Sequence, residues 1–282
     1  MSDERKKVTL RTLFAKMERR EPLTMLTCYD YPTAYLMEQA GVDILLVGDS
    51  LGMTVLGYDS TLPVTMDIMI AHAQAVRRGS PNAWLIGDMP YMSYQPSVET
   101  AIRSAGRFMA EAACDAIKLE GGIEVADRVA SVVQMGIPVM GHLGLTPQSV
   151  HAMGGYRVQG RDVAAARPLI ADASALDAAG VFAIVLEGVP DVLAEIVTKE
   201  VSAPTIGIGA GCKTDGQVLV FHDVLGLGGE QVPKFVRTYA DLRAEAVRGL
   251  EEFFADVQSG AFPAEAETYH MPDEAVRALL ED

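Results

Sequence analysis

A closed (β/α)8 barrel with one extra N-terminal helix is the fold class that the sequence predicts, on three observations. Apolar runs of strand length alternate with helical stretches along most of the chain, and such alternation implies a parallel sheet. Eight such units suit a closed barrel better than an open, doubly wound sheet. In run after run the polar residue comes last, at Asp30, Asp49, Asp88, Glu120, His142 and Glu187. In an open sheet those ends would form a line, because neighbouring strands lie about 4.8 Å apart. In a barrel they converge on one mouth, the C-terminal face where barrel enzymes place their active sites.

The elements follow in order. An amphipathic helix over about residues 9–20 precedes the first run, "LTMLTCYD" at 23–30. Next come "VDILLVGD" (42–49), "AWLIGDMP" (83–90), "AIKLEGG" (116–122), "IPVMGHLGL" (137–145), "FAIVLEGVP" (182–190) and "APTIGIGAG" (203–211). A weaker eighth, "DVLGL" at 223–227, leads to a long helical pattern from about Tyr239 to Val257. Alanine-rich helices fill the intervals, several closed by a terminal glycine, as in "PTAYLMEQAG" and "EVADRVASVVQMG". Two Gly-containing connections are longer than the rest, "SLGMTVLGYDSTLPVT" after the second strand and "TPQSVHAMGGYRVQGRD" after the fifth. Both are candidate lids over the mouth. No repeat or linker divides the chain, so residues 1–270 read as one catalytic barrel and 271–282 as a peripheral extension that docks on a neighbour or lies free.

Composition narrows the function. A length of 282 residues suits a single barrel, which typically takes about 250. A formal charge of -15 argues against a nucleic-acid surface, which needs a basic stripe, and favours small-molecule chemistry. Cys28, Cys114 and Cys212 show no CxxC spacing, so neither a zinc site nor a disulfide framework is indicated. The N-terminal stretch lacks the apolar core of a signal peptide, and no window reaches the roughly 18 apolar residues of a membrane span. A cytoplasmic protein without membrane partners is expected.

Asp49, Asp88 and Glu120 end three consecutive strand runs, and three oxygen ligands on adjacent strands describe a hard-cation site. Magnesium fits best, since it keeps several waters, takes one or two carboxylates and shares substrate oxygens. Each aspartate also has a plainer role open to it as N-cap or turn former. Glu120 has less of that alternative, because a carboxylate inside an apolar strand needs a partner. Lys118, two residues before Glu120, leaves the same strand face. It can hold a substrate anion beside the cation, form a Schiff base, or pair structurally with Glu120. The first is preferred, since a Schiff-base lysine makes a metal cluster superfluous.

Glu187 ends the sixth run, across an eight-stranded barrel from the second, and is placed as a general base or as a salt bridge at the rim. His142 donates to a substrate or lid, or is a satisfied core histidine. His72 in a helix, His151 in a loop, His222 and His270 read as structural or exposed. The glycines of "GIGAG" (Gly207, Gly209, Gly211) make a poor dinucleotide motif, with no helix in register, and are expected to let a flat ligand approach the backbone. Arg157 and Arg161 meet an acidic ligand or simply face solvent.

Taken together, "TCYDYPTA", "LLVGDSLGMTVLGYDSTLPVT", "AVRRGSPNAWLIGDMP", "IKLEGG", "GHLGLTPQSVHAMGGYRVQGR", "VLEGVP" and "IGIGAGCKTDGQVLVFHDVLG" resemble the ketopantoate hydroxymethyltransferase family, from about residue 8 to 270. The resemblance implies a TIM barrel of the phosphoenolpyruvate/pyruvate superfamily, commonly a homodecamer. It implies hydroxymethyl transfer from methylenetetrahydrofolate to α-ketoisovalerate with Mg2+, in pantothenate biosynthesis. Asp49 and Asp88 then match the metal ligands and Glu120 the third metal-site carboxylate. Asp49, Ser50, Asp88 and Lys118 match positions contacting the keto acid, His142 joins that substrate set, and Glu187 matches the proton acceptor. Gly188, where other members carry larger residues, and the extension past His270 depart from the pattern. A carbon acid beside a ketone is about fifteen units weaker than a glutamic acid, a gap of roughly 20 kcal/mol at about 1.36 kcal/mol per unit. Chelation by magnesium would narrow it.

Overall fold

A computed structural model describes residues 5–229 and 232–281. Eight parallel strands pair in chain order: β1 (Leu23–Thr27), β2 (Ile44–Val47), β3 (Trp84–Asp88), β4 (Ala116–Glu120), β5 (Val139–Gly144), β6 (Ala183–Glu187), β7 (Thr205–Ile208) and β8 (Gly216–Leu219). β8 pairs back onto β1 and closes the barrel. The helices are α1 (Leu10–Glu18), α2 (Tyr31–Ala40), α3 (Leu51–Thr54), α4 (Met66–Gly79), α5 (Val98–Ala112), α6 (Ala126–Gln134), α7 (Val150–Met153), α8 (Val163–Ala179), α9 (Asp191–Glu200), α10 (Phe221–Val224), α11 (Leu242–Ser259) and α12 (Asp273–Leu280). The longer helices start where a side chain satisfies an orphan amide. Thr65, Ser97 and Asp162 accept from the N–H of Ile68, Thr100 and Ala165, each cap contributing about 1 kcal/mol.

Strand periodicity divides the core into two shells. Ile44, Leu46, Trp84, Ile86, Ala116 and Met140 fill the lumen, whereas Leu45, Val47, Leu85, Ile117 and Leu119 pack outward with the helices. Burying each large aliphatic side chain is worth about 1.5–3 kcal/mol. Because Ala116 points inward and Ile117 and Leu119 outward, the alternation carries Lys118 and Glu120 into the lumen. Their shared face is the inside of the barrel.

Several expectations are corrected. The eighth strand is Gly216–Leu219, not 223–227, which forms the end of α10 and the turn after it. "GQVL" lacks an apolar signature, yet its backbone pairs with both β1 and β7. No helix separates β7 from β8; residues 209–215 make the whole return. Asp30 does not reach the mouth, because its carboxylate caps α2 by accepting from Thr33 N at 2.8 Å. His151 lies in the short helix α7 rather than in a loop. The long last pattern starts at Leu242, where Asp241 caps it by accepting from Ala244 N.

α11 buries none of its residues, and its Val247, Leu250, Phe253, Phe254 and Val257 are exposed. α12 is likewise unburied.

Candidate active site

The strand ends converge as a barrel requires. Asp88 and Glu120 are the last residues of β3 and β4, Glu187 is the last of β6, and Asp49 stands two residues beyond β2. Register supplies the pairings. Asp88 lies beside Lys118 across β3 and β4, and Glu120 beside His142 across β4 and β5. Asp49, Ser50, Asp88, Lys118, Glu120, His142 and Glu187 all line one chamber of about 110 Å³, whose apolar wall includes Val185, Ile208, Val218 and Val220. The structure thus brings these seven residues, all singled out from the sequence, into one place.

Lys118 pairs with Asp88 and not with Glu120, its Nζ donating to Asp88 Oδ1 at 2.7 Å. Asp88 Oδ2 accepts from Asp49 N at 3.2 Å. Glu120 Oε2 accepts from Gln148 N at 3.0 Å. His142 bridges two carboxylates, with Nδ1 3.4 Å from Glu120 Oε1 and Nε2 3.2 Å from Glu187 Oε2. Neither contact has the direction of a hydrogen bond, so both are ionic contacts. Ser50 Oγ is 2.8 Å from the hydroxyl of Tyr29, a fully enclosed side chain whose phenol burial pushes up to about 12.

Burial dominates the electrostatics of the cluster. It holds the Asp49 carboxyl well above the usual range, reinforced by Asp88 and Glu120. Asp88 is raised by burial too, against the pull of Lys118. For Glu120 burial is outweighed by His142 and Lys118, and its carboxyl sits below the usual range. Burial alone would discharge Lys118, but Asp88, Glu120 and Asp49 keep it an ammonium. His142 is raised to about 9, burial and Lys118 opposing Glu120 and Glu187.

When all are ionised, four carboxylates (Asp49, Asp88, Glu120, Glu187) face two cations (Lys118, His142), leaving two negative charges in a chamber that they line. That excess, and an Asp49 carboxyl raised by burial and then by Asp88 and Glu120, fit a divalent cation. Among the described residues no group of three or more His, Cys, Asp or Glu side chains is arranged to hold a metal ion by itself. Magnesium needs no such group, because waters and substrate oxygens complete its shell.

Two long connections touch where Tyr156 of the β5 loop donates its hydroxyl to Met53 Sδ of α3 at 3.5 Å. Arg157 and Arg161 in that loop are exposed. The glycines of "GIGAG" are required by close protein packing, whatever ligand approaches them. A Cβ on Gly209 would meet the Phe235 ring at 2.8 Å, and one on Gly211 would meet Asp191 Cβ at 2.5 Å. Gly188 does not line the chamber; its carbonyl accepts from Gln159 N at 2.8 Å. Sequence reasoning missed Gln148, Tyr94 and Tyr29, whose polar atoms find partners far away in the chain and which leave no local signal.

The profile of the ketopantoate hydroxymethyltransferase family matches residues 7–265. A protein of Syntrophomonas wolfei named 3-methyl-2-oxobutanoate hydroxymethyltransferase is 52% identical, over 97% of this chain and 99% of its own length. One of the same name from Geotalea uraniireducens is 54% identical, over 89% of this chain and 94% of its own. Among solved structures, 2,3-dimethylmalate lyase, a PEP mutase/isocitrate lyase superfamily member, aligns with a TM-score of 0.59 at 17% identity, covering 96% of this chain and 94% of that one. Phosphonopyruvate hydrolase complexed with oxalate and Mg++ aligns at 0.59 and 15% identity, covering 97% and 95%. At such identities these structures establish the shared barrel fold.

Proposed function

Because the chain belongs to the ketopantoate hydroxymethyltransferase family, we propose that it transfers a hydroxymethyl group from methylenetetrahydrofolate to α-ketoisovalerate (3-methyl-2-oxobutanoate). The product is ketopantoate, for pantothenate biosynthesis. One observation carries the reading: a small chamber with a carboxylate cluster and Lys118 on one wall, Glu187 on the facing strand, and an apolar wall between.

Asp49 and Asp88 would hold Mg2+, with Glu120 as the third carboxylate of the site. Bound there, the cation would act as a Lewis acid toward the keto oxygen. Ser50 and Lys118 bind the keto acid, with His142 donating from the floor, and the branched carbon rests against Val185, Ile208, Val218 and Val220. Glu187 removes the proton from the β-carbon. The C–H electron pair passes into the enolate, and that carbon then bonds to the folate's methylene carbon; the two bonds from that methylene to folate nitrogens break, water supplies the new hydroxyl group, and tetrahydrofolate leaves with the protons. A protonated Lys118, held charged by three carboxylates, is no Schiff-base nucleophile, which must be a free amine. The chamber of about 110 Å³ takes a small oxo acid and leaves the folate to meet it from the open side.

The same reading includes a catalytic unit over residues 1–270 with a peripheral 271–282, a cytoplasmic location and a homo-oligomer, a decamer by family likeness. Three unpaired cysteines suit a reducing compartment, and no described helix is long and apolar enough to cross a membrane. Self-association is supported by the unburied apolar side chains of α11; Tyr31 and Tyr35 of α2 and Val192 and Ile196 of α9 are further exposed apolar groups. A second copy is the occupant of this surface.

The test is ketopantoate formation by the purified protein from both substrates, lost on chelation and restored by Mg2+. Activity that survives exhaustive EDTA rejects the cation site. Turnover of an oxo acid without folate would make the protein a lyase or mutase instead.

A further inference from the structure

Gln148 stands between the carboxylate cluster and the β5 loop. It lies in the 3-10 turn Pro147–Ser149, where the chain leaves β5, and only 5% of it is exposed. Its side chain reaches back over the strand ends. Nε2 donates to Asp49 Oδ2 and to Met89 O, each at 2.9 Å. Oε1 accepts from Gln95 Nε2 at 2.9 Å and lies 2.9 Å from the Tyr94 hydroxyl, whose one proton it shares with Glu120 O, also at 2.9 Å. Its backbone N–H donates to Glu120 Oε2 at 3.0 Å. Both amide donors and both acceptor lone pairs are therefore used.

The amide can face only one way. A carbonyl such as Met89 O accepts and never donates, so the nitrogen must lie on that side, toward Asp49. Among the described residues this is the one side-chain hydrogen bond that the Asp49 carboxylate receives. It occupies Oδ2 and leaves Oδ1 for the chamber. The same residue holds one oxygen of Glu120 through its backbone, so a single turn sets the spacing of Asp49 and Glu120, which come from β2 and β4. Tyr94 braces it from behind, since its hydroxyl also accepts from Glu120 N at 3.1 Å. Immediately after Gln148 the chain enters α7 and the loop whose Tyr156 touches Met53.

We propose that Gln148 is a positioning residue that ties the divalent-cation site to the loop following β5. Held by Gln148, Asp49 and Glu120 keep the separation that the cation needs. A bound cation in turn fixes the turn from which the loop departs. The inference rests on the cation site proposed above and adds a coupling to it. The residues that hold and orient ligating groups govern metal affinity about as strongly as the ligands' surroundings allow, typically about 10- to 100-fold on mutation.

The test uses Gln148→Met, which keeps length and volume while removing every side-chain hydrogen bond, and Tyr94→Phe, which removes only the brace. Mn2+ and Mg2+ affinities are measured by titration calorimetry. Proteolytic cleavage within residues 150–162 is followed across a Mg2+ series, and melting temperature is recorded in EDTA. Gln148→Met is expected to bind either cation about 10- to 100-fold more weakly and to need correspondingly more Mg2+ to protect the loop, with Tyr94→Phe shifted less in the same direction. A variant that melts earlier but binds cation as the wild type does would make Gln148 merely structural and overturn the proposal. So would cation-independent cleavage of the loop in wild-type protein that binds Mg2+. Wild-type protein that binds no divalent cation would remove the underlying site, and with it this coupling. If Gln148→Met fails to fold, Tyr94→Phe decides by the same readouts.

Discussion

Replacing Lys118 by Met removes the ammonium while retaining most of its aliphatic volume. In the native barrel Nζ lies 2.7 Å from Asp88 Oδ1, and the two side chains are 5% and 2% exposed. Breaking a buried pair by deleting one partner costs about 3–5 kcal/mol, because the remaining charge stays desolvated. At about 2–4 °C per kcal/mol for a large domain, the melting temperature should fall by roughly 6–20 °C at neutral pH. The pH dependence has a definite sign. The Asp88 carboxyl is already raised by burial with Lys118 present, and without Lys118 it rises further. A carboxyl raised in the folded state is neutral there at low pH and costs nothing. The deficit therefore opens as pH climbs above the unfolded carboxyl value of about 3.9 and is complete once pH passes the folded one. Melting curves in EDTA, for variant and wild type side by side at acid and neutral pH, measure the gap. A shift below about 2 °C at neutral pH, or an equal shift at both pH values, would refute the burial argument. The same variant should bind keto acid more weakly, since it removes a charge partner present in ground and transition states alike.

Three further outcomes are expected. Glu187→Gln keeps size and removes basicity, so exchange of the β-hydrogen of α-ketoisovalerate in deuterated water, without folate, should fall about 10²- to 10⁴-fold while keto-acid binding persists; unchanged exchange would move the base to His142. In metal-free protein the stabilisation from protonated His142 is fully present below its unfolded value of about 6.5 and is lost as pH rises through about 9. His142→Gln should flatten that decline in melting temperature, and an unaltered profile would show that His142 carries no such charge. Paired substitutions Leu250→Ser and Phe254→Ser on α11 should reduce the proposed assembly to a smaller species in light scattering; a wild-type protein that is a stable monomer at micromolar concentration would count against that assembly.

Alternation of apolar runs with helices was enough to predict the barrel, because periodicity is a local property read within a few residues. The convergence of Asp49, Asp88, Glu120, His142 and Glu187 followed from that topology, since strand ends meet wherever the sheet closes. Lys118 and Glu120 sharing the lumen likewise follows from a period of two. Tertiary structure alone decided the rest. "GQVL" is a strand because β1 and β7 offer it hydrogen-bonding edges, not because Gly216 or Gln217 favours one. Lys118 chooses Asp88 over Glu120 because parallel register sets Asp88 directly beside it, whereas Glu120 lies further along its own strand. Gln148 finds Asp49 across 99 positions of sequence, and the unburied face of α11 shows only once the barrel is complete without it. Each of these depends on which distant groups remain to be paired or covered once the strands have closed, and local pattern carries no record of that.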